Sequence, residues 1–136
     1  MGNYVKLSKV VEKLNLKNLT PDVDMTEKKV MVPDINRPAL QLTGFFEHFA
    51  YERVQLIGCV EYTFLENVEE DEKEKIYDML LSYKIPCIIF CRNLKPDDSL
   101  IEKANKANVP VFSTETPTSA FSAEIIRWLN VELAPC

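Results

Sequence analysis

Five polar side chains lie next to predicted strand ends and are the residues of this 136-residue sequence most suited to binding a ligand: Asp34, Asn36, Arg37, Arg53 and Arg92. Ligands of open α/β sheets bind at the carboxyl ends of strands, and guanidinium groups that converge there bind anions such as phosphate. The pattern therefore raises the hypothesis of an anion or small-ligand site. In the structural alternative, Asp34 and Asn36 cap a turn, and Arg37 either snorkels or pairs with Asp34. We favour that alternative, because a single sequence does not show which strand ends share an edge.

His48 is the only histidine, and it lies in a run of aromatic residues. It can be read as a general base or as a packing residue, and packing is the favoured interpretation. The aromatic side chains around it can line an apolar pocket or simply fill a core. No serine, threonine or cysteine lies in a recognisable nucleophile motif, so we do not expect an enzyme active site within these residues.

The four cysteines are expected to be free thiols, and no metal site is expected. Cys87 and Cys91 lie on one predicted strand, where four residue steps separate them by about 13 Å. That separation is too large for a disulfide or for two ligands of one zinc ion. We therefore interpret Cys87 and Cys91 as core residues, and Cys59 and Cys136 belong to no metal-like spacing.

Length, charge and glycine content narrow the possible functions. A chain of this length with 46% hydrophobic residues is expected to form one domain. The net charge of −5, with acidic residues crowded between positions 66 and 74, argues against binding to nucleic acid or to an anionic membrane. No apolar run approaches the roughly 20 residues of a membrane span, and no signal-peptide core is visible, so we expect a cytoplasmic location. Three glycines, at positions 2, 44 and 58, do not make a P-loop.

Strand and helix signals alternate along the chain. A first helix is predicted from Ser8, as its N-cap, to Asn15. A second is predicted after Asn67, with Ile76, Met79, Leu80 and Tyr83 as its buried stripe. The remaining predicted elements are strands at 29–32, 54–57, 87–90 and 109–112, a turn at 34–37, two short helices within 38–51, a helix at 96–107, and a last helix capped by Thr116 with Pro117 at its first position.

This alternation predicts an α/β domain of three layers, with a largely parallel or mixed central sheet flanked by helices. In the last helix, Phe121, Ile125 and Leu129 should face the sheet. Trp128 is expected at the border of that packed face.

The sequence resembles the N-terminal domain of bacterial HPr kinase/phosphorylases over nearly its whole length. The residues that carry the resemblance are Val11–Leu16, Val32–Gly58, Cys59–Leu65, the Pro-Cys-Ile-Ile run from Pro86, and the closing Leu-Ala-Pro from Leu133. The resemblance implies a domain at 1–133 and the start of a linker at 134–136. It also implies a fold similar to the uridine-nucleotide-binding domain of muramyl ligases.

For the parent protein, the resemblance implies phosphorylation of a serine on the phosphocarrier HPr, phosphorolytic reversal, ATP and Mg²⁺ as cofactors, a hexamer, and a role in carbon catabolite repression and sugar phosphotransferase uptake. No catalytic residue and no cofactor is carried over to this chain. Its expected partners are its own C-terminal kinase domain, neighbouring subunits and, through the parent, HPr. The competing interpretations are a stand-alone module that senses an anion or a nucleotide, and an independent enzyme.

Overall fold

The computed structural model describes residues 3–134, which form seven strands and six helices. The strands are β1 (Val5–Lys6), β2 (Lys17–Asn18), β3 (Lys29–Val30), β4 (Ile35–Asn36), β5 (Val54–Ile57), β6 (Ile88–Phe90) and β7 (Val111–Ser113). The helices are α1 (Leu7–Lys13), α2 (Ala39–Leu42), α3 (Cys59–Glu66), α4 (Glu70–Leu81), α5 (Asp98–Ala107) and α6 (Thr118–Glu132). Residues 135 and 136 of the predicted linker lie outside the described residues.

Five strands form one sheet in the order β2-β7-β6-β5-β4. β4, β5, β6 and β7 are parallel to one another, whereas β2 pairs antiparallel with β7 at the edge. β1 and β3 form a separate two-stranded antiparallel sheet. The predicted α/β class with a largely parallel sheet is therefore confirmed.

Helices cover both faces of the five-stranded sheet and give two separate hydrophobic cores. One core contains the buried side chains of α1 and α6, and the other contains those of α2, α3, α4 and α5. Each core also contains side chains from the intervening strands. The architecture is thus the three-layer sandwich that the alternation of elements predicts.

The two central strands, β5 and β6, are buried along their whole length. Ile89 faces the core of α1 and α6, whereas Ile88 and Phe90 face the opposite core. Strands that are covered on both faces have consecutive apolar residues instead of alternating ones. This pattern confirms the strands predicted at 54–57 and 87–90, the latter shortened by one residue.

The prediction was wrong around residues 59–69, where it missed α3 completely. Gly58 is the N-cap of α3, and Asn67, predicted to begin a helix, instead caps its C-terminus. The following helix, α4, starts only at Glu70. Met79 was also placed wrongly in the buried stripe of α4, because its side chain is 49% exposed.

The aromatic segment after β4 contains one short helix, α2, instead of the two that were predicted. Gly44 follows it with φ of 98°, a backbone conformation that favours glycine. Phe46 stacks on Tyr83 with ring centroids 5.7 Å apart, which anchors the segment to the end of α4. His48 is not a packing residue: its φ is 62° and its side chain is 88% exposed.

Other boundaries differ from the predictions by small shifts. α1 has Lys6 instead of Ser8 as its N-cap, and Asn15 follows the helix in a left-handed conformation. α6 has Pro117 instead of Thr116 as its N-cap. The predicted turn at 34–37 contains the two-residue strand β4. Because β4 belongs to the five-stranded sheet, the residues before it and the residues after it lie at opposite ends of that sheet.

Phe121 and Trp128 of α6 differ in burial, which gives a test of the packing. Phe121 is fully buried, whereas Trp128 packs against the same core with only part of its surface. Phe121→Ala should lower the free energy of unfolding by about 3–5 kcal/mol, and Trp128→Ala should lower it by less. Urea denaturation followed by circular dichroism measures both values. Equal losses would show that Trp128 belongs fully to the core.

Candidate functional site

The carboxyl edge of the parallel sheet brings together residues that follow β4, β5 and β6. Arg37 comes directly after β4, Gly58 after β5 and Cys91 after β6. Because these strands are parallel, the three residues lie at the same edge of the sheet. The N-terminus of α6, which follows β7, reaches the same place through Thr118.

Glu61 is the central charge of this edge. Its side chain is only 3% exposed, and its Oε1 accepts hydrogen bonds from Arg37 Nη2 at 2.8 Å and from Arg37 Nε at 3.2 Å. The same oxygen accepts a bond from the Gly58 backbone N–H at 2.7 Å. A glutamate at the third position of a helix can reach back to the N-cap in this way. The carboxylate therefore joins the end of β4 to the start of α3.

Gly58 is placed where a side chain would collide with two neighbours. A Cβ atom at this position would lie 2.6 Å from Thr118 Oγ1 and 2.7 Å from Arg37 Nη2. Both distances are shorter than van der Waals contact, so the close approach of α6, α3 and Arg37 depends on glycine. The hydroxyl and the guanidinium consequently border the same point above the Gly58 Cα atom.

The Cys91 thiol is buried next to this group of residues. Burial raises its pKa, and the neighbouring Thr118 hydroxyl and Arg37 guanidinium lower it by smaller amounts. Cys87 is also fully buried, and burial raises the pKa of its thiol. The interpretation of Cys87 and Cys91 as core residues is confirmed, whereas Cys136 lies outside the described residues.

The five predicted site residues are divided between the two edges of the sheet. Asp34 precedes β4 and Arg53 precedes β5, so both lie at the amino edge, where Arg53 Nη1 is 3.5 Å from Asp34 Oδ2. Arg37 and Arg92 follow β4 and β6 at the carboxyl edge. Asn36 is inside β4 and donates a hydrogen bond to Gln55 Oε1 at 2.7 Å.

Arg53 therefore does not converge with Arg37, and the structural alternative in which Arg37 pairs with Asp34 is also wrong. Arg37 pairs with Glu61 instead. Arg92 is exposed and has φ of 58°, and its backbone N–H donates to Thr116 O at 3.1 Å. These placements leave Arg37 as the predicted residue with the most extensive contacts at the carboxyl edge.

Glu61 and Thr118 are site residues that the sequence-based prediction missed. A signal for Glu61 was present, because a glycine followed three positions later by glutamate has the spacing of a helix N-terminus. Thr118 gave no comparable signal, since its position next to Gly58 results from the packing of α6 on the sheet.

A second polar cluster joins α4 to the segment before α5. Asp97 Oδ2 accepts a hydrogen bond from the Tyr77 hydroxyl at 2.7 Å and from Lys73 Nζ at 3.2 Å. Desolvation lowers the pKa of Lys73, but Asp97 and Glu70 outweigh it and leave the pKa raised. Burial, followed by the bond to Asp97, raises the pKa of Tyr77. Lys73 is therefore charged and Tyr77 neutral at pH 7, as expected of structural donors.

Residues 3–134 contain no group of three or more metal-ligating side chains that could hold a metal ion. In the same residues, no helix has both the length and the apolar character that crossing a bilayer requires.

The bonds of Glu61 predict a clear cost for its removal. Glu61→Ala should lower the free energy of unfolding by about 1–3 kcal/mol, because the Gly58 N–H and the Arg37 guanidinium each lose an acceptor. Glu66→Ala is the matched control, since Glu66 is an exposed residue at the end of the same helix. Urea denaturation measures both variants, and the same loss in both would contradict the structural role of Glu61.

The burial of the cysteines predicts their reactivity. Cys59 is exposed, whereas Cys87 is fully buried with a raised pKa. In the folded chain, N-ethylmaleimide should modify Cys59 faster than Cys87 by more than about a hundredfold. Peptide mass spectrometry after short exposures measures each site, and urea should abolish the difference. Equal rates without urea would contradict the burial of Cys87.

Comparison with known proteins gives one consistent family. A family model described as the HPr Serine kinase N terminus matches residues 5–129. The HPr kinase/phosphorylase of Lachnoclostridium phytofermentans is 50% identical over 131 residues, which cover 96% of this chain and 42% of that protein. The HPr kinase/phosphorylase of Latilactobacillus sakei is 31% identical over 134 residues, which cover 98% and 43%. The chain thus spans less than half the length of these curated relatives.

Among solved structures, a similar fold occurs in the CBS and DRTGG domains of the regulatory region of Clostridium perfringens pyrophosphatase, a structure that contains the activator diadenosine tetraphosphate. The TM-score is 0.63 at 16% identity, over 95% of this chain and 50% of that one. This likeness shows the fold alone. The match of the family model to nearly the whole domain, together with relatives that cover almost all of the chain, shows that the chain belongs to the HPr kinase N-terminal family.

Proposed function

We propose that this chain is the non-catalytic accessory module of a bifunctional HPr serine kinase/phosphorylase, which regulates or positions the catalytic part of that protein. The observation that carries the proposal is the match of nearly the whole chain to less than half of proteins named HPr kinase/phosphorylase. In this proposal, phosphate transfer belongs to the region of the relatives that the chain does not match.

The sequence supports assigning phosphate transfer to the region of the relatives that this chain does not match. Phosphoryl transfer requires a loop of backbone N–H groups and a lysine that hold the triphosphate, and the three glycines of this chain form no such motif. In the same proposal, ATP and Mg²⁺ are cofactors of the parent protein, its HPr substrate is a partner of the whole protein, and its location is cytoplasmic. Hexamer assembly and control of carbon catabolite repression also belong to the parent.

α6 is the element that we propose as the strut towards the catalytic part. It is the longest described helix and the last described element of the chain. Its buried stripe fixes it to the sheet, while Trp128 is left at the border of the packed face. A partly buried aromatic ring on a rigid helix suits a contact between domains, because additional apolar area can be covered there without unfolding the helix.

The experiment for the proposed function uses the Lachnoclostridium phytofermentans relative. We expect this chain alone, incubated with HPr, ATP and Mg²⁺, to transfer no phosphate to HPr. In a chimera, this chain replaces the matching segment of the relative. The chimera should have the same kinase activity and the same assembly as the unmodified relative. Phosphorylation of HPr is measured by intact-protein mass spectrometry, and assembly by light scattering.

Two outcomes would contradict the proposal. Phosphate transfer by the highly purified chain alone would show that the module is catalytic. If the relative without its matching segment retained unchanged activity, assembly and regulation, the segment would have no accessory role.

The second candidate function is a module that senses a small anion or nucleotide. The specific observation in its favour is the Arg37 guanidinium at the carboxyl edge of the sheet, whose side chain is 38% exposed and therefore within reach of an anion.

A further inference from the structure

We infer that the cleft at the carboxyl ends of β6 and β7 is a binding site for a zwitterionic small molecule, with a free polar α-amino acid as its ligand. The cleft has a volume of about 500 Å³. It is lined by the segment 13–17, by Asn93 after β6, by residues 113–116 at the end of β7, and by Glu124 of α6. The inference is independent of the accessory role in HPr kinases, because it rests only on the residues of this cleft.

The first argument is the topology at this point of the sheet. β6 and β7 are neighbouring parallel strands, yet the helices that follow them pack on opposite faces. α5, after β6, contributes Leu100 and Ala104 to one core, and α6, after β7, contributes Phe121 and Ile125 to the other. Segments that leave neighbouring strands towards opposite faces open a crevice between them, and ligands of α/β sheets bind in such crevices. The helices after β4, β5 and β6 all lie on one face, so β6 and β7 are the parallel neighbours with this divergence.

The second argument is the Ser113 side chain. Ser113 lines the cleft, although only 7% of its surface is exposed. The neighbouring Thr114 hydroxyl accepts a bond from the Thr116 N–H at 3.3 Å, whereas the Ser113 hydroxyl has no hydrogen-bond partner among residues 3–134. Unlike the fully enclosed Thr118 hydroxyl, it belongs to a residue that opens into the cleft. Buried hydroxyl groups nearly always have a partner, and a polar ligand in the cleft would supply one.

Backbone hydrogen bonds hold the wall of the cleft in place. The Asn93 N–H donates to Thr114 O at 2.8 Å, and the Arg92 N–H donates to Thr116 O at 3.1 Å. Asn93 has φ of 56°, and Asn15, in the turn after α1, has φ of 53°. Both asparagines line the cleft, and their amide groups can donate as well as accept hydrogen bonds. The cleft therefore offers a polar ligand neutral donors and acceptors on a fixed backbone.

The third argument is the arrangement of charges around the cleft. Lys13 and Lys17 line it from α1 and β2, while Glu115 and Glu124 line it from the segment after β7 and from α6. None of these four side chains forms an ion pair with a residue of the described range 3–134. Two cations and two carboxylates offer a partner to each end of a zwitterion. A lysine would bind the ligand's carboxylate, and a glutamate its ammonium group.

The same lining argues against other classes of ligand. The two carboxylates weaken the attraction of a phosphate group to the lysines. Within residues 3–134 they do not belong to a group of side chains that could hold a metal ion. A free α-amino acid carries both charges close together, and its polar side chain would contact the Ser113 hydroxyl and the asparagine amides. We expect an affinity of about 0.1–1 mM, because exposed ion pairs each contribute little.

The test is a titration of the 136-residue chain with L-serine, L-threonine, L-asparagine and L-glutamine in turn, followed by two-dimensional amide NMR at constant pH. Sodium chloride at equal ionic strength is the reference. At least one of the four should give saturable shifts at the amides of Asn93, Ser113 and Thr116. The N-acetyl derivative of that amino acid lacks the ammonium charge, and its C-terminal amide lacks the carboxylate charge. Each derivative should bind at least about threefold more weakly.

Two variants remove one partner each from the cleft. Ser113→Ala should weaken binding by about fivefold, because the ligand loses a hydrogen bond in a buried position. Glu124→Gln should weaken it by about threefold, and this exposed side chain can be changed without disturbing the core. The same spectra show whether each variant keeps its fold. Glu66→Gln is the matched control, because Glu66 is also an exposed helical glutamate but belongs to α3 on the opposite face of the sheet.

Three outcomes would overturn the inference. The first is that none of the four amino acids gives saturable shifts at the cleft. The second is that the N-acetyl and amide derivatives bind as tightly as the amino acid itself. The third is that Glu66→Gln weakens binding as much as Glu124→Gln.

Discussion

The burial of β5 and β6 on both faces is the constraint on which the rest of the structure depends. Both strands are enclosed by helices, so nearly every side chain in them has to be apolar. The exception, Gln55, is fully buried and donates hydrogen bonds to the carbonyl oxygens of Ala50 and Arg53 while it accepts one from Asn36. In a core of this kind, polar side chains that could bind a ligand are confined to the strand ends.

At the carboxyl edge, this constraint brings the segments that follow β4 and β5 into one polar assembly. Glu61 is nearly as buried as the core, yet both of its contacts are with donors that β4 and β5 deliver to it. Removing a buried carboxylate from water is costly unless its oxygens are bonded. The Arg37 guanidinium and the Gly58 N–H offset that cost, so the geometry of the edge and the stability of the fold are coupled.

The sequence correctly predicted the elements in which the apolar residues are the buried ones. It failed in the elements where polar residues are buried or apolar residues are exposed. β5 was placed correctly because four consecutive buried residues end at a glycine. α3 was missed because its pattern is inverted: Glu61 is buried, whereas Val60 is 70% exposed and Phe64 is 39% exposed. The sequence also could not divide the five predicted site residues between the two edges of the sheet, since a strand of two residues is too short to give a hydrophobic pattern. Without β4, the sequence could not show that Asp34 and Arg37 lie at opposite edges.

The two edges of the sheet use similar charges to different effect. At the amino edge, Arg53 lies 3.5 Å from the half-exposed carboxylate of Asp34 and 3.4 Å from the carbonyl oxygen of Ile35. Both of these partners are hydrogen-bond acceptors, and acceptors do not bind an anion. At the carboxyl edge, the backbone supplies donors as well, because a helix that follows a parallel strand begins there with N–H groups that have no partner within the helix itself. The direction of the strands therefore gives the two edges different backbone groups, although arginine side chains lie at both.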